Sequence, residues 1–425
     1  MQLGEILHAI PDTTKGGLLD NLQRPQALPN KILQELEQNG NHIDEWYDIY
    51  HGTAYLDAVW SGNIKDNDMV LHISIDGAQL YQSKQSDCWI YIWVILDLAP
   101  DLCYKKWHIF PGGFIPGPNK PKNVDSFIFP GLHHVAALMK EGLEIWDVAR
   151  DLIFLSQPFL HLGTTNGPGM TYLNGLTDHS CAFGCCLYCA IKGRRKEGGN
   201  HYYSALLKPN DYNVAGCNHD NVDGSHLPSA NVFKYQTALR KVLSSQTIAQ
   251  HEDNWKDTGI TKPSIIGGFP TKNTLGIPMC FRADLMHLIS LNLTDLLLGL
   301  WQGTMQHDPL DKDVWDWAVL TGNTWKEHGH RVAELCLYLP GSFDHPPHNP
   351  AEKISSSYKA WEYLTYIFGA GPALFHGILP DNYWQNYCKL VHGVWLVHQR
   401  SVTKEHLVEA HMLLVQFVQE FEELY

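Results

Sequence analysis

A chain of 425 residues with 45 acidic and 31 basic side chains carries a formal net charge of −14 at neutral pH. That length buries a sizeable core and fits two or three domains, and the aromatic-rich composition without low-complexity tracts is that of a globular protein. The acidic balance excludes a protein that coats nucleic acid over its whole surface, because backbone neutralisation needs clustered Lys and Arg. Any DNA contact must be local, and the basic runs are Lys105 with Lys106, Lys120 with Lys122, and Lys192 with Arg194, Arg195 and Lys196. Each of them also reads as a solvated loop.

Ten cysteines are irregularly placed and no charged-then-apolar leader opens the chain, so a reducing compartment is expected. Four of the ten fall between Cys181 and Cys189, which in such a compartment favours metal binding over disulfides. The longest apolar run, Trp89 to Leu96, is closed by Asp97 and is far shorter than the ~20 residues of a bilayer helix. No membrane span is expected.

In chain order, residues 1–65 read as a flanking helical segment with helical spacing at Ile32, Leu33 and Leu36, ending in the turn-forming Gly62, Asn63 and Asp66. From Met69 the pattern changes to strand: Val70, Ile73 and Ile75 lead into Asp76-Gly77, Trp89–Leu96 forms a second strand, and Trp107–Phe110 a third. Gly112, Gly113, Pro116, Gly117, Pro118 and Pro121 predict a long turn region. One or two amphipathic helices follow, through Leu132, Val135, Leu138 and Met139 and then Leu143, Trp146 and Val148. Phe159–Thr165 reads as a fourth strand, ending at Asn166-Gly167-Pro168-Gly169.

Three sequential strands, a helical crossover and a fourth strand predict an α/β fold, a ribonuclease H-like mixed sheet over residues 66–205. In that arrangement the first strand and the end of the fourth lie side by side, so an acid on each would converge on a pair of metal ions that activate water and stabilise the leaving oxygen of a phosphodiester. Asp76 stands at the first of these places, and also reads as the acid of an Asp-Gly turn. Asn166 stands at the second, where Asn-Gly after a strand is equally an ordinary turn pair.

Residues 206–425 read as a large, mainly helical insertion or C-terminal region. Asp284-Leu-Met-His287 opens a buried helix through Leu288, Ile289, Leu296, Leu297 and Leu300; Asp284 and His287, one turn apart, either share a ligand or metal or form an ordinary helix cap. Trp301, Trp315, Trp317 and Trp325 read as core. Leu407, Ala410, Leu414, Phe417, Phe421 and Leu424 keep helical phase to the last residue without a stop signal.

Five segments in one order carry a resemblance: Ile75-Asp76-Gly77-Ala78-Gln79-Leu80, Phe114-Ile-Pro-Gly-Pro-Asn-Lys-Pro-Lys122, Gly184-Cys-Cys-Leu-Tyr-Cys189, Gly198-Gly-Asn-His-Tyr-Tyr203 and Asp284-Leu-Met-His287. From about residue 65 onward the chain resembles CACTA (En/Spm-type) DDE transposases, especially those of fungal genomes. The resemblance implies a nuclear enzyme that binds transposon-end DNA, works as a dimer and cuts with a DDE triad and Mg2+. It also implies a Zn2+ site built from a cysteine pair after the second acid and a histidine pair before the final glutamate.

Residue by residue, Asp76 matches the first acid and ligand of Mg2+, and Asn166 falls where the second acid is expected. Cys189 matches one zinc cysteine and either Cys185 or Cys186 the other; two cysteines alone leave a tetrahedral site half built. The histidine pair and final glutamate are expected beyond Leu407–Tyr425, and Glu327 or Glu334 have only sequence distance to recommend them as substitutes. The expectation is therefore a transposase-derived protein, catalytically impaired. The alternative is a domesticated module that holds DNA or a protein through its zinc cluster and the basic loop at Lys192, Arg194 and Arg195. A third reading is a metal-dependent hydrolase centred on Asp284 and His287.

Overall fold

The computed structural model describes residues 29–79, 87–117, 123–148, 150–305, 315–340, 346–354 and 358–425. The beginning of the flanking segment, Leu80, Pro118, Pro121 and the Lys120–Lys122 run lie outside the described residues. The chain forms two compact units: residues 1–205, 210–219 and 228–283 make the first, and 206–209, 220–227 and 284–425 the second.

The first unit is built on a mixed four-stranded sheet. Its strands are β1 (Val70–Gln79), β2 (Asp87–Ile95), β3 (Ile109–Ile115) and, after a helix and a hairpin, β6 (Phe159–Thr165). The spatial order is β3-β2-β1-β6, with β1, β2 and β3 antiparallel and β6 parallel to β1. Alternation along β1 sends its side chains to two cores. Leu71, Ile73 and Ile75 pack with Ile128, Leu132, Val135 and Met139 of helix α2 (Asp125–Glu141). Val70, with Val94 and Phe159, packs with Tyr55 and Leu56 of helix α1 (Thr53–Trp60) and with Ile32 and Leu36 from the helical residues 29–38. Sequence periodicity therefore located the helix around Ile32, Leu33 and Leu36 and three of the four strands; of the expected third strand, Trp107–Phe110, only Ile109 and Phe110 belong to the sheet, Trp107 and His108 lying in a short 3-10 helix.

Two segments differ from the sequence reading. The third strand starts at Ile109 and runs through Gly112 and Gly113, which belong to the sheet and not to the expected turn region. The cause is Tyr91 on β2: a Cβ on Gly112 would stand 2.1 Å from its ring and one on Gly113 2.6 Å, so the strand can cross that ring only as bare backbone. The second difference is at Leu143, Trp146 and Val148. Helix α2 stops at Gly142, whose φ of +83° only glycine adopts freely. The residues expected to continue it form a hairpin of β4 (Leu143–Asp147) and β5 (Leu152–Ser156), with Ile145 turned to the core and Trp146 opposite Ile153 on the outer face.

In the second unit, the described residues are mainly helical. Asp284 leads into a π-helical run, Met286–Leu293, which continues as the α-helix Thr294–Trp301. The Leu-rich helix expected to be buried is buried on one face: Ile289, Leu297, Leu298 and Trp301 are core, whereas Leu285, Met286 and Leu288 are about half exposed. Trp301 packs its ring on Phe375 and Tyr387 and donates from Nε1 to the Tyr425 hydroxyl at 2.8 Å. Trp315 stacks on Trp317, whose other neighbours are Tyr383 and Tyr425, and Trp325 stacks on His328, so these tryptophans are packing residues. The last helix, Lys404–Leu424, keeps its phase to Leu424, and Glu422 accepts backbone N–H groups from Leu206 and Leu207.

Buried histidines make the fold acid-sensitive. His161 on β6 is 5 % exposed, with its ring edge on Tyr55. Burial, and then the charges of Arg282 and His72, lower its pKa to about 4. An imidazole that stays neutral in the folded chain but titrates at about 6.5 when unfolded contributes fully above that pH. Its contribution is lost as pH falls from about 6.5 toward 4, by up to about 3 kcal/mol. Urea unfolding across that range should therefore show a shallower acid loss in His161→Gln, because the amide does not titrate. Equal losses in the two proteins would remove His161 as the source.

Candidate active site

The parallel register of β1 and β6 sets the site. Ile75 pairs with Thr165, so Asp76, still paired with Ile90 of β2, and Asn166, the first residue beyond β6, lie side by side. Asp76 is exposed and Asn166 half-buried. The Asn166 amide Nδ2 donates to Asp76 Oδ1 at 3.0 Å, and the same carboxylate oxygen accepts the Gly77 backbone N–H at 2.7 Å. Asn166 is also the N-cap of helix α3 (Gly167–Asn174): its Oδ1 accepts the Gly169 N–H at 2.8 Å. Backbone nitrogen can only donate, so the Asn166 oxygen must face Gly169 and its NH2 must face Asp76.

Sequence reasoning placed Asp76 and Asn166 together, and they are together. It missed the capping role, although Asn-Gly-Pro-Gly ahead of an apolar run is a helix-start signature. The arrangement does not fit a divalent cation. Mg2+ requires oxygen ligands in near-octahedral array, and here the second position offers Asp76 an N–H donor, while its one oxygen is engaged by the helix. Among the described residues, no group of three or more His, Cys, Asp or Glu side chains is arranged to hold a metal.

The cysteine cluster follows α3 in an irregular stretch. Cys185 interacts with Cys189, whereas Cys186 packs toward the sheet core. The Cys189 thiol donates to Cys185, and with the backbone N–H groups of Cys189, Leu187 and Tyr188 this holds the Cys185 pKa well below its usual value, while that of Cys189 is pushed up. Left-handed backbone at Tyr188 and Ala190 shapes this turn. Cys186 packs against the sheet core and its carbonyl accepts from the buried Asn174. For Zn2+, Cys185 and Cys189 fit as two thiolate ligands of the four a structural site needs.

In the basic loop, Arg194 and Arg195 form the short strand β7 (Arg194–Arg195), paired with β8 (Tyr202–Tyr203). The Arg194 guanidinium is buried and donates to the carbonyls of Cys217 and His219 at 3.2 and 2.8 Å. Arg195 donates to the Gly199 carbonyl at 2.9 Å. Both tie the loop to its own unit, and Lys192 is half-buried beside them.

Asp284 and His287 belong to the second unit. Asp284 Oδ1 accepts the N–H groups of Met286 and His287 at 2.9 and 3.2 Å, and Oδ2 contacts His287 Nδ1 at 2.8 Å. This is a helix cap that uses both carboxylate oxygens, the structural alternative of the two. Glu327 and Glu334 are exposed on the helix Gly322–Glu334 of the same unit. No helix among the described residues is long and apolar enough to cross a membrane. No curated protein matches the chain. Its residues 56–204, which hold the sheet, the Asp76–Asn166 pair and the cysteine cluster, match the family model described as Transposase family tnp2.

Proposed function

We propose that the chain is a transposase-derived, DNA-binding protein whose first unit is a ribonuclease H-like DDE core of CACTA type without competent metal catalysis. The observation that carries this reading is the hydrogen bond from Asn166 to Asp76 at 3.0 Å. It occupies the place where two carboxylates would share metal ions, in a segment that matches a transposase family model. Strand order supports the same assignment, since three antiparallel strands with the fourth parallel to the first is the order expected of such a core. The chain's residues bind and orient there; they supply no acid at position 166 to activate water. Nuclear location and dimer formation are part of the same proposal.

Purified protein incubated with supercoiled DNA and millimolar Mg2+ is expected to leave the DNA intact, and its melting temperature should not respond to Mg2+. Mg2+-dependent nicking that is lost in Asp76→Ala would overturn the proposal.

Position 166 has its own signature. Asn166→Ala removes the cap of α3 as well as the contact with Asp76, and should cost about 1–2 kcal/mol in urea unfolding. Asn166→Asp keeps the cap but sets two carboxylates at hydrogen-bond distance, which raises one of their pKa values. That variant should be less stable at about pH 7 than at about pH 5 relative to the parent, and millimolar Mg2+ should restore it. An Asn166→Asp protein as stable as the parent and blind to Mg2+ would show that the two side chains do not form the shared site proposed.

A second reading, a zinc-stabilised module that binds DNA or protein without catalysis, is favoured by the meeting of Cys185 and Cys189. It requires zinc in the purified protein that is lost in Cys185→Ser and retained in Cys186→Ser.

A further inference from the structure

The connection between β2 and β3 presents four consecutive exposed residues, Tyr104, Lys105, Lys106 and Trp107, on a rigid base. Trp107 is 80 % exposed, the most exposed tryptophan among the described residues, and Tyr104 is 55 % exposed. Water does not favour an indole held out from the surface. The base holds it there. Asp97 Oδ2 accepts the Val70 N–H at 2.8 Å and its Oδ1 accepts the Tyr50 hydroxyl at 3.1 Å, fixing the start of the connection to β1. Leu96 and Cys103 are buried, and successive turns close through Cys103 N–H to the Ala99 carbonyl, Lys105 N–H to Leu102 and His108 N–H to Lys105, each at 2.8–2.9 Å. The last turn is the short 3-10 helix Lys106–His108. Tyr104 sets its ring edge on His72.

We propose that Tyr104, Lys105, Lys106 and Trp107 form a preorganised finger that binds a nucleic-acid strand, with the indole stacking on an unpaired base and the two ammonium groups on neighbouring phosphates. A flat exposed ring beside paired cations is the chemistry of single-strand platforms, on which a base stacks irrespective of its identity. Asp101, exposed on the preceding turn, is the one acid near the tip in sequence; on a chain of net charge −14 such a basic segment confines phosphate contact to a small area. A bilayer fits less well, because two rings give little apolar area to insert. The finger also stands away from the Asp76–Asn166 pair. Leu71 pairs with Ile95, at the end of β2 from which the finger leaves, whereas Asp76 pairs with Ile90; five residues of strand separate the two, about 17 Å. The choice of nucleic acid over other partners rests on the transposase reading, but the finger uses none of the residues that reading assigns to catalysis.

The test is fluorescence anisotropy of the full chain with a labelled mixed-sequence single-stranded oligonucleotide, with its duplex, and with vesicles containing phosphatidylserine as competitor. Trp107→Ala should weaken single-strand binding by about tenfold or more, Trp107→Phe should keep most of it, and duplex binding should change less. Lys105→Gln with Lys106→Gln should lower the slope of log affinity against log salt by about 1.4. Lys234→Gln, an exposed lysine on the helix Val232–Leu243, removes one charge elsewhere and should leave ring-dependent binding unchanged. Equal single-strand affinity of the parent and Trp107→Ala, or vesicles that displace the oligonucleotide in a Trp107-dependent way, would overturn the finger. Neither result touches the proposed metal-free core, which Mg2+-dependent nicking alone decides; nicking with an intact Trp107 effect would overturn the core reading and leave the finger standing.

Discussion

The parallel pairing of Val70–Ile75 with Phe159–Thr165 is the constraint on which the first unit depends. Parallel neighbours cannot be joined by a tight turn, so the chain must leave β1, build β2 and β3 on its open side, and cross back over one face as α2 before laying down β6. The crossover helix then supplies the apolar layer that covers Leu71, Ile73 and Ile75, while α1 covers the other face. Because both strands run the same way, the carboxyl end of β6 lies beside Asp76 of β1. Asp76 and Asn166, ninety residues apart in the chain, meet there without any contact of their own being needed to bring them together.

The sheet was legible from sequence because each strand is an apolar or alternating run bounded by turn residues, and α2 because its apolar residues recur at helical spacing. Illegible were the features that depend on what lies across the sheet. Gly112-Gly113 reads as a turn until Tyr91 is seen to lie against both. Leu143, Trp146 and Val148 keep helical spacing, yet Gly142 ends the helix and the same residues alternate in a hairpin whose outer face is apolar. Leu288, expected in a buried helix, is half exposed while its neighbour Ile289 is core, since composition does not say which face of a helix meets the core.

The candidate sites divide along the same line. Asp76 with Asn166, and Asp284 with His287, were recognisable as pairs because strand order fixed the first and one helical turn the second. What each pair does was not. Asp284 spends both oxygens on its helix start and His287, which leaves little for a metal. Cys185 and Cys186 were both open as partners of Cys189; Cys186 packs toward the sheet core and Cys185 interacts with Cys189, in a turn with left-handed backbone at Tyr188 and Ala190. Arg194, read from sequence as a surface cation, is buried, and its Nη1 donates to the carbonyls of both Cys217 and His219.

On the proposed reading, Asn166 shows why an amide suits this position. Two carboxylates at hydrogen-bond distance repel unless a cation or a shared proton lies between them, so an acidic pair stabilises the fold only when loaded. An amide reverses the interaction: its NH2 attracts the Asp76 oxygen, and its carbonyl still caps α3. A capping asparagine contributes about as much as a capping aspartate, so the helix loses nothing by the change. On the proposed reading, the residue that removes metal catalysis is thus the same one that relieves the strand ends of their dependence on metal, and both effects follow from replacing one oxygen by one nitrogen.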